Sequence, residues 1–295
     1  MMNYLDLFKA YLYNEKKSSV NTVESYNRDI SQFASYCASN NITDMAKVDN
    51  EFLLSYLDSL AKLKKSEATI SRIIASLRCF YRFLGSRGFC ENNPLNGVKV
   101  KKAERKLPDV LDSNEILLLL AQPNGSDYKS IRDKAMLELL YATGIKVSEL
   151  IDLSVNDINL QVGIVHLKNN KKDRIIPLYP AAIKSISEYL INVRPVVVLD
   201  ENEDKLFTNM SGQHMSRQGF WKIVKHYANS AGIKKDITPH TLRHSFAAHL
   251  LENGAKLTDI KEMLGHADLS STQIYAQLMK SKYTAAYTKF HPLAR

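Results

Sequence analysis

Cysteine is scarce in this sequence, and its scarcity argues against two classes of structure. The three cysteines, Cys37, Cys79 and Cys90, are odd in number, form no C-x-x-C pair and lie in the first third of the chain. A zinc site or a disulfide framework needs more cysteines at regular spacing. We therefore expect reduced thiols packed in a core.

Long apolar runs are missing as well. No apolar stretch approaches the ~20 residues that a membrane-spanning helix needs. The first residues, M-M-N-Y-L-D, lack the basic segment and the apolar run of a signal peptide. The sequence therefore predicts a cytoplasmic protein that does not enter a membrane.

The charge of the chain is strongly positive. The formal net charge is +9 over 295 residues, and both halves are basic, with 16 Lys and Arg against 11 Asp and Glu in residues 1–105 and 24 against 20 in residues 106–295. A basic surface on both halves is expected of a protein that grips a polyanion from two sides. A merely soluble basic protein would give the same numbers, so charge alone does not decide the function.

The first hundred residues show the periodicity of helices joined by short polar turns. Ser19 and Ser66 each precede a segment with apolar residues at helical spacing. Arg72, Arg78 and Arg82 lie off the apolar stripe of the second segment, and we expect them to contact phosphate. The stripe itself predicts a core-facing helix and consists of Ile70, Ile73, Ile74, Leu77, Phe80 and Leu84.

A change of composition predicts the domain boundary. Gly85 and Gly88 are expected to end the second helix, and residues 96–109 are basic with little apolar content. We predict a helical domain over residues 1–95, an interdomain linker over residues 96–109 and a second domain over residues 110–295. A basic linker can lie along DNA, although a solvated run of charges has the same composition.

The second domain is predicted to be helical apart from one β-hairpin. Asp112 and Glu115 form an N-cap signature before an apolar run. Short β-branched stretches at residues 163–167 and 175–178 flank an Asn-rich turn, which is typical of a hairpin. Helices are expected over residues 131–141, 220–231, 239–253, 258–264 and 280–290. The hairpin turn carries Lys168, Lys171 and Lys172.

His240 and Arg243 are the first candidates for chemistry. Thr238 can cap a helix, and Pro239 suits its first position. His240 and Arg243 would then occupy the opening turn, where backbone N–H groups and the helix dipole favour an anion. A pair of polar surface residues is the plainer alternative.

His266 and Tyr275 follow, each at the edge of a short helical segment. A phenol placed there could reach the same phosphate, and tyrosine can form covalent intermediates. Metal binding is disfavoured, because zinc needs three or four ligands and the charge of Arg243 would oppose a cation. Of the other histidines in this helix, His249 is expected in the core and His244 is a weaker candidate.

The order and spacing of these motifs carry a resemblance. The run H-x-L-R-H-S-F-A begins at His240, L-G-H ends at His266 and S-T-Q-I-Y ends at Tyr275. Together with matching segments elsewhere, they closely resemble the tyrosine recombinase (phage integrase) family, and most of all its bacterial Xer members. The other matching segments are residues 19–30, 142–150, 174–178 and 93–95, and the closing H-P-L-A-R.

The resemblance implies a fold and an activity. The fold would be mainly α-helical with a small β-hairpin or sheet. An N-terminal core-binding (SAM-like) helical bundle would precede a C-terminal α+β catalytic domain that ends in an exchange helix. The activity would be site-specific DNA recombination through a Holliday junction, in Xer-like dimer resolution or in integration and excision of mobile elements. No cofactor would be needed, in keeping with the lack of a glycine-rich phosphate loop or a carboxylate cluster in the sequence.

The resemblance also implies a role for each matching residue. Tyr275 would attack the scissile phosphate and form a 3′-phosphotyrosine. Arg243 would bind the non-bridging oxygens, whose charge needs fixed donors in the transition state. His240 would act as proton acceptor or hydrogen-bond donor, and His266 as a supporting donor. A hairpin lysine would protonate the leaving 5′-oxygen.

Two positions depart from the family pattern. The family has an arginine where this chain has Lys146, and lysine keeps the charge but loses the planar two-pronged donor. We expect a loss of about 1.5–3 kcal/mol of transition-state stabilisation, or cleavage slowed about ten- to a hundredfold. The hairpin turn is also about one residue longer than usual. Lys168 is our choice for the acid, and Lys171 and Lys172 are alternatives that could contact phosphate only.

The resemblance also implies partners. They are a double-stranded recombination site and three further subunits, in a homo-tetramer or in a hetero-tetramer with a second recombinase, with a DNA translocase as a further candidate activator. The terminal helix, with its apolar stripe of Tyr283, Ala286, Tyr287 and Phe290, would dock on a neighbouring subunit or pack back on its own domain. Two other functions stay open: a DNA-binding architectural protein without chemistry, suggested only by Lys146, and a type IB topoisomerase.

Overall fold

The structure is a computed structural model that describes residues 4–98, 107–168, 173–200 and 202–290. The chain divides into two units, Met1–Arg105 and Lys106–Arg295. Each unit has a hydrophobic core of its own. In the described ranges, no helix is long and apolar enough to cross a bilayer.

The first unit is helical throughout its described part. Ser19 Oγ accepts a hydrogen bond from the Thr22 backbone N–H, and Ser66 Oγ accepts one from the Thr69 N–H, so both predicted helix starts are confirmed. The second of these helices ends at Ser86, between Gly85 and Gly88, and Gly88 follows the Arg87 cap with a left-handed φ of +71°, so the prediction that these glycines end the helix is confirmed. The helices are α1 (Tyr4–Asn14), α2 (Val20–Ser39), α3 (Asn50–Lys62) and α4 (Glu67–Ser86), with a 3-10 turn at Met45–Lys47.

The apolar stripe of α4 lies in the core of this unit. Ile73, Leu77 and Phe80 are at most 1% exposed. Phe8 of α1 meets Phe80 edge to face, with ring centroids 5.3 Å apart, a favourable geometry for aromatic pairs. The periodicity of α4 therefore predicted the buried face correctly.

The second unit contains helices and one small sheet. The capping box of α5 forms as predicted: Asp112 accepts from the Glu115 N–H, and Glu115 accepts from the Asp112 N–H. The helices are α5 (Ser113–Ala121), α6 (Tyr128–Thr143), α7 (Val147–Asp152), α8 (Pro180–Asn192), α9 (Arg194–Val197), α10 (Arg217–Ser230), α11 (Pro239–Glu252), α12 (Leu257–Leu264) and α13 (Gln273–Phe290), with 3-10 turns at Val155–Asp157 and Leu269–Ser271.

The predicted hairpin is present and gains a third strand. Strands β1 (Ile158–Asn159), β2 (Ile164–Leu167) and β3 (Arg174–Pro177) form an antiparallel sheet in sequence order. Val165 and Ile176 are directly paired, and both point into the core. The mainly α-helical fold with a small sheet is thus confirmed.

The helix that carries Tyr275 is longer than predicted. The sequence indicated a short helical fragment before Tyr275 and a separate helix from residue 280. The structure instead has a 3-10 turn capped by Asp268, followed by one continuous helix, α13. Tyr275 therefore lies in the first turn of a long helix.

Gly144 lies at a position where the fold leaves no room for a side chain. Its φ is +58°, and a Cβ there would lie 2.2 Å from Cδ1 of Phe246. We expect Gly144→Ala to lower the free energy of unfolding of this unit by more than the ~1–2 kcal/mol of a left-handed alanine, because Phe246 must also move. Chemical denaturation measures the loss.

Gly232→Ala is the matched control. Gly232 has φ +67°, but a Cβ there would meet nothing within 4 Å. Backbone strain alone should act at this position, so equal losses for the two variants would contradict the role given to Phe246.

Candidate active site

The start of α11 brings two of the predicted residues into position. Thr238 accepts a hydrogen bond from the Thr241 N–H, and Pro239 is the first helical residue, as predicted. His240 then lies exposed in the first turn, whereas Arg243 is only 4% exposed. Partial desolvation and the charge of Arg243 lower the pKa of His240. The helix start therefore presents a neutral imidazole at the surface and a guanidinium beneath it.

Arg243 binds backbone carbonyls of two separate turns. Its Nη1 donates to the Gly144 carbonyl at 2.5 Å, and its Nη2 donates to the Leu264 carbonyl at 2.7 Å. Gly144 is the C-cap of α6, and Leu264 is the last residue of α12. Arg243 thereby holds together the turn before Lys146 and the turn before His266.

Lys146 lies exposed at the N-terminus of α7. Its backbone N–H donates to Glu149 Oε2 at 2.8 Å, which fixes the start of the helix. Its ammonium group helps to lower the pKa of His266, after burial and Arg243. Lys146 is therefore at the same site as Arg243 and His266.

His266 follows the left-handed Gly265, which caps α12. Its Nδ1 is 2.9 Å from Thr272 Oγ1, so the ring is held by a hydroxyl just before α13. Burial, with Arg243 and Lys146, lowers the pKa of His266 to about 4.

Tyr275 is buried, and its hydroxyl contacts His244. The residue is 1% exposed, and its Oη lies 2.9 Å from His244 Nδ1. Burial raises the pKa of Tyr275. Burial, His240 and Arg243 lower the pKa of His244 to about 4, so the neutral ring can accept the phenolic proton in a hydrogen bond.

His244 is a site residue that the sequence reasoning undervalued. His240 and His244 are four residues apart on α11 and therefore share a helix face. That spacing was a usable signal for placing His244 near the site. His249, expected in the core, is partly buried and bonds to Tyr141 Oη at 2.9 Å instead.

Lys168 lies at the end of β2 and is largely exposed. Its Nζ is 3.4 Å from Asp157 Oδ1, and its side chain is 65% exposed. It lines a shallow cavity of about 210 Å³ together with Glu149 and Arg174. Lys168 is thus next to the residues that surround Lys146, while the alternatives Lys171 and Lys172 lie outside the described residues.

The three arginines of α4 differ in their surroundings. Arg72 Nη1 is 2.5 Å from the buried carboxylate of Asp29, and Arg78 donates to the Val98 carbonyl at 2.5 Å. Arg82 is exposed. If Arg72 or Arg78 contacted a phosphate, the phosphate would compete with these bonds for the N–H groups of the guanidinium.

A metal site finds no support in the described ranges. No group of three or more His, Cys, Asp or Glu residues there could hold a metal ion. Cations, imidazoles and a phenol meet around Arg243, with the Glu149 carboxylate beside them, and the cations and imidazoles are donors that suit an anion.

Family models match both units. The model of the phage integrase family matches residues 109–282, and the model of the phage integrase N-terminal SAM-like domain matches residues 5–88. The chain is 40% identical to the tyrosine recombinase XerD of Staphylococcus epidermidis over 296 residues, which covers all of both chains.

Solved structures share the fold. The XerH site-specific recombinase bound to its palindromic difH substrate, in a post-cleavage complex, is 22% identical with a TM-score of 0.77, covering 96% of this chain and 84% of that one. A lambda integrase tetramer bound to a Holliday junction is 16% identical with a TM-score of 0.71, covering 91% and 76%.

The two low histidine pKa values predict how stability depends on pH. In the unfolded chain both imidazoles bind protons below about pH 6.5, whereas His244 and His266 in the folded protein bind them only near pH 4. Their contribution to the free energy of unfolding is therefore complete above pH 6.5 and is lost as the pH falls toward 4. Urea unfolding at pH 7.5, 6 and 5 measures it.

The same titration with His244→Gln and His266→Gln identifies the groups. Each substitution removes one titrating imidazole, so each should flatten the decline in unfolding free energy between pH 7.5 and 5. A decline that is unchanged in both variants would assign it to other groups.

Proposed function

Because this chain belongs to the phage integrase family of tyrosine recombinases and is thus a site-specific DNA recombinase, we propose that Tyr275 is its nucleophile. The observation that carries the proposal is the convergence on Arg243 of the turns that hold Lys146 and His266. Tyr275 Oη would attack the scissile phosphorus, and the bond from phosphorus to the 5′-oxygen would break. The resulting 3′-phosphotyrosine would be attacked by the 5′-hydroxyl of a partner strand.

The phosphate would be bound by the groups around Arg243. Arg243 uses two of its N–H donors on carbonyls, and guanidinium has five, so donors are left for the non-bridging oxygens. Lys146, His240 and His266 would supply further charge or hydrogen bonds. The buried hydroxyl of Tyr275 would have to become accessible when DNA binds, because a phosphate cannot reach a residue that is 1% exposed.

Both protons of the reaction have candidate carriers. The phenolic proton of Tyr275 would pass to an imidazole as the bond to phosphorus forms, with His240 as the residue implied by the family resemblance. The 5′-oxygen would take a proton from Lys168. The phosphodiester bond is exchanged for a phosphotyrosine bond, so no ATP is consumed.

We expect a covalent protein–DNA adduct on a nicked duplex that traps the cleaved strand. The duplex would carry a Xer-type site or a genomic fragment that the protein selects. Tyr275→Phe should abolish the adduct, and Lys146→Arg should form it about ten- to a hundredfold faster, since arginine restores a two-pronged donor. Denaturing gels of single-turnover reactions give both results.

Each outcome of that experiment separates the functions. Equal rates for the parent chain and Lys146→Arg would show that the lysine costs nothing. Tight binding without an adduct in any form would favour an architectural DNA-binding protein. Relaxation of supercoiled DNA without paired sites would favour a type IB topoisomerase.

Lys168 can be tested through the leaving group. We expect Lys168→Ala to slow adduct formation about a hundredfold, the scale of general acid catalysis. A duplex with sulfur in place of the bridging 5′-oxygen should restore the rate, because a thiolate leaves without a proton. Lys225→Ala, which alters another exposed lysine near a carboxylate of the same unit, serves as the control. A Lys168→Ala defect that sulfur does not relieve would exclude the acid role.

The assembly also belongs to this proposal. Four subunits would act on two recombination sites, in a homo-tetramer or with a second recombinase, and a DNA translocase could activate them. The similarity to XerD over the whole chain favours resolution of chromosome or plasmid dimers over integration.

A further inference from the structure

Arg174 is a buried cation for which the family resemblance supplied no role. It is the first residue of β3, and its side chain is 7% exposed. Its Nη2 lies 2.7 Å from Glu149 Oε2. Among the described residues its buried Nε has no hydrogen-bond partner.

Through Glu149, Arg174 reaches the backbone of Lys146. The Glu149 Oε2 that pairs with Arg174 also accepts the Lys146 N–H at 2.8 Å. A single carboxylate oxygen therefore joins the guanidinium of β3 to the first residue of α7. Removing the guanidinium would free this carboxylate to change rotamer and would release the start of the helix.

On its other side, Arg174 lies against Gly265. A Cβ at Gly265 would stand 2.5 Å from Arg174 Nη1 and 2.9 Å from its Cζ. Only a residue without a side chain leaves room for the guanidinium at this distance. The contact fixes the turn that immediately precedes His266.

Arg174 and Arg243 thus bridge the same two turns. Arg243 binds the carbonyls of Gly144 and Leu264, two residues before Lys146 and two before His266. Arg174 lies against Gly265, which follows Leu264, and it reaches the Lys146 N–H through the Glu149 carboxylate. Burial lowers the pKa of Arg243, and the charge of Arg174 lowers it further, as expected of two guanidinium groups packed close together.

We propose that Arg174 is a positioning residue for strand cleavage, which sets the separation of Lys146 and His266 on the two sides of Arg243. The inference rests on the proposed function. Stability alone is a poor reason for this arginine, because a buried ion pair adds little over an apolar pair and an unpartnered buried N–H is unfavourable. A role in holding the two turns at a fixed separation explains why Arg174 contacts both Glu149 and Gly265.

The experiment compares cleavage with binding in Arg174→Lys and Arg174→Met. We expect adduct formation on the nicked duplex to slow about tenfold to a hundredfold, since a small misplacement of the groups around a phosphate has that effect. Affinity for the same duplex should change by less than about threefold, because a buried residue releases no counterions from DNA. Each assay is run below the melting temperature of its variant.

Arg132→Lys is the matched control. Arg132 is a buried arginine of the same unit, 2.7 Å from the carboxylate of Asp133, with both side chains at most 5% exposed. Its loss should lower the melting temperature without slowing cleavage. If Arg174→Met does not fold, Arg174→Lys and Glu149→Gln provide the same comparison.

A double-mutant cycle measures the coupling between positions 174 and 146 in cleavage rate. A residue that only stabilises the fold would show no such coupling. If Arg174 positions residue 146, the gain in cleavage rate from Lys146→Arg should shrink by about tenfold in the Arg174→Met background. If Arg174 only stabilises the fold, the two effects multiply independently.

The outcomes separate this inference from the function on which it rests. Slower cleavage at unchanged affinity, with coupling to position 146, supports the inference. An adduct in the parent chain together with unchanged rates in the Arg174 variants, or with independent effects, overturns the inference alone. No adduct in the parent or in Lys146→Arg overturns the proposed function and this inference with it.

Discussion

The buried guanidinium of Arg243 is the interaction on which the site depends. A charge at 4% exposure is stable only if polar groups replace its water, and the carbonyls of Gly144 and Leu264 do so. These carbonyls close two helices that are far apart in sequence. The need to solvate one cation therefore brings Lys146, His266 and the start of α11 to one place.

The same constraint accounts for the glycines at the site. Gly144 and Gly265 are both left-handed, and a side chain on either would collide, at Gly144 with Phe246 and at Gly265 with Arg174. Each helix must end abruptly for its last carbonyls to face a guanidinium. Glycine permits this conformation and this close approach together.

Local patterns predicted much of the fold. The Asp112 and Thr238 caps, the stripe of α4 and the pairing of β2 with β3 in a hairpin each follow from residues close in sequence, and the structure has them all. The predictions erred where tertiary packing decides. Helix α13, for example, is continuous through a stretch that the sequence divided in two.

The site was predicted by residue type but not by contact. The spacing of His240, Arg243, His266 and Tyr275 indicated phosphate chemistry, and nothing in it could show that Tyr275 would lie against His244. Arg174 and Glu149 were equally hidden, since their pairing joins a strand to a helix 25 residues away. Such contacts depend on how α7, β3 and α12 pack, which no single-segment pattern contains.

Binding of a phosphate reverses the direction in which the site shifts the pKa values of its histidines. In the free protein burial lowers the pKa of His240, His244 and His266, and the charges around Arg243 lower it further, because each charge opposes protonation of a nearby ring. A phosphodiester brings a negative charge to the same place and must raise these pKa values again. A neutral His240 whose pKa is raised in this way would be a better acceptor for the phenolic proton of Tyr275. A site of this kind keeps its imidazoles neutral until the substrate itself supplies the counter-charge.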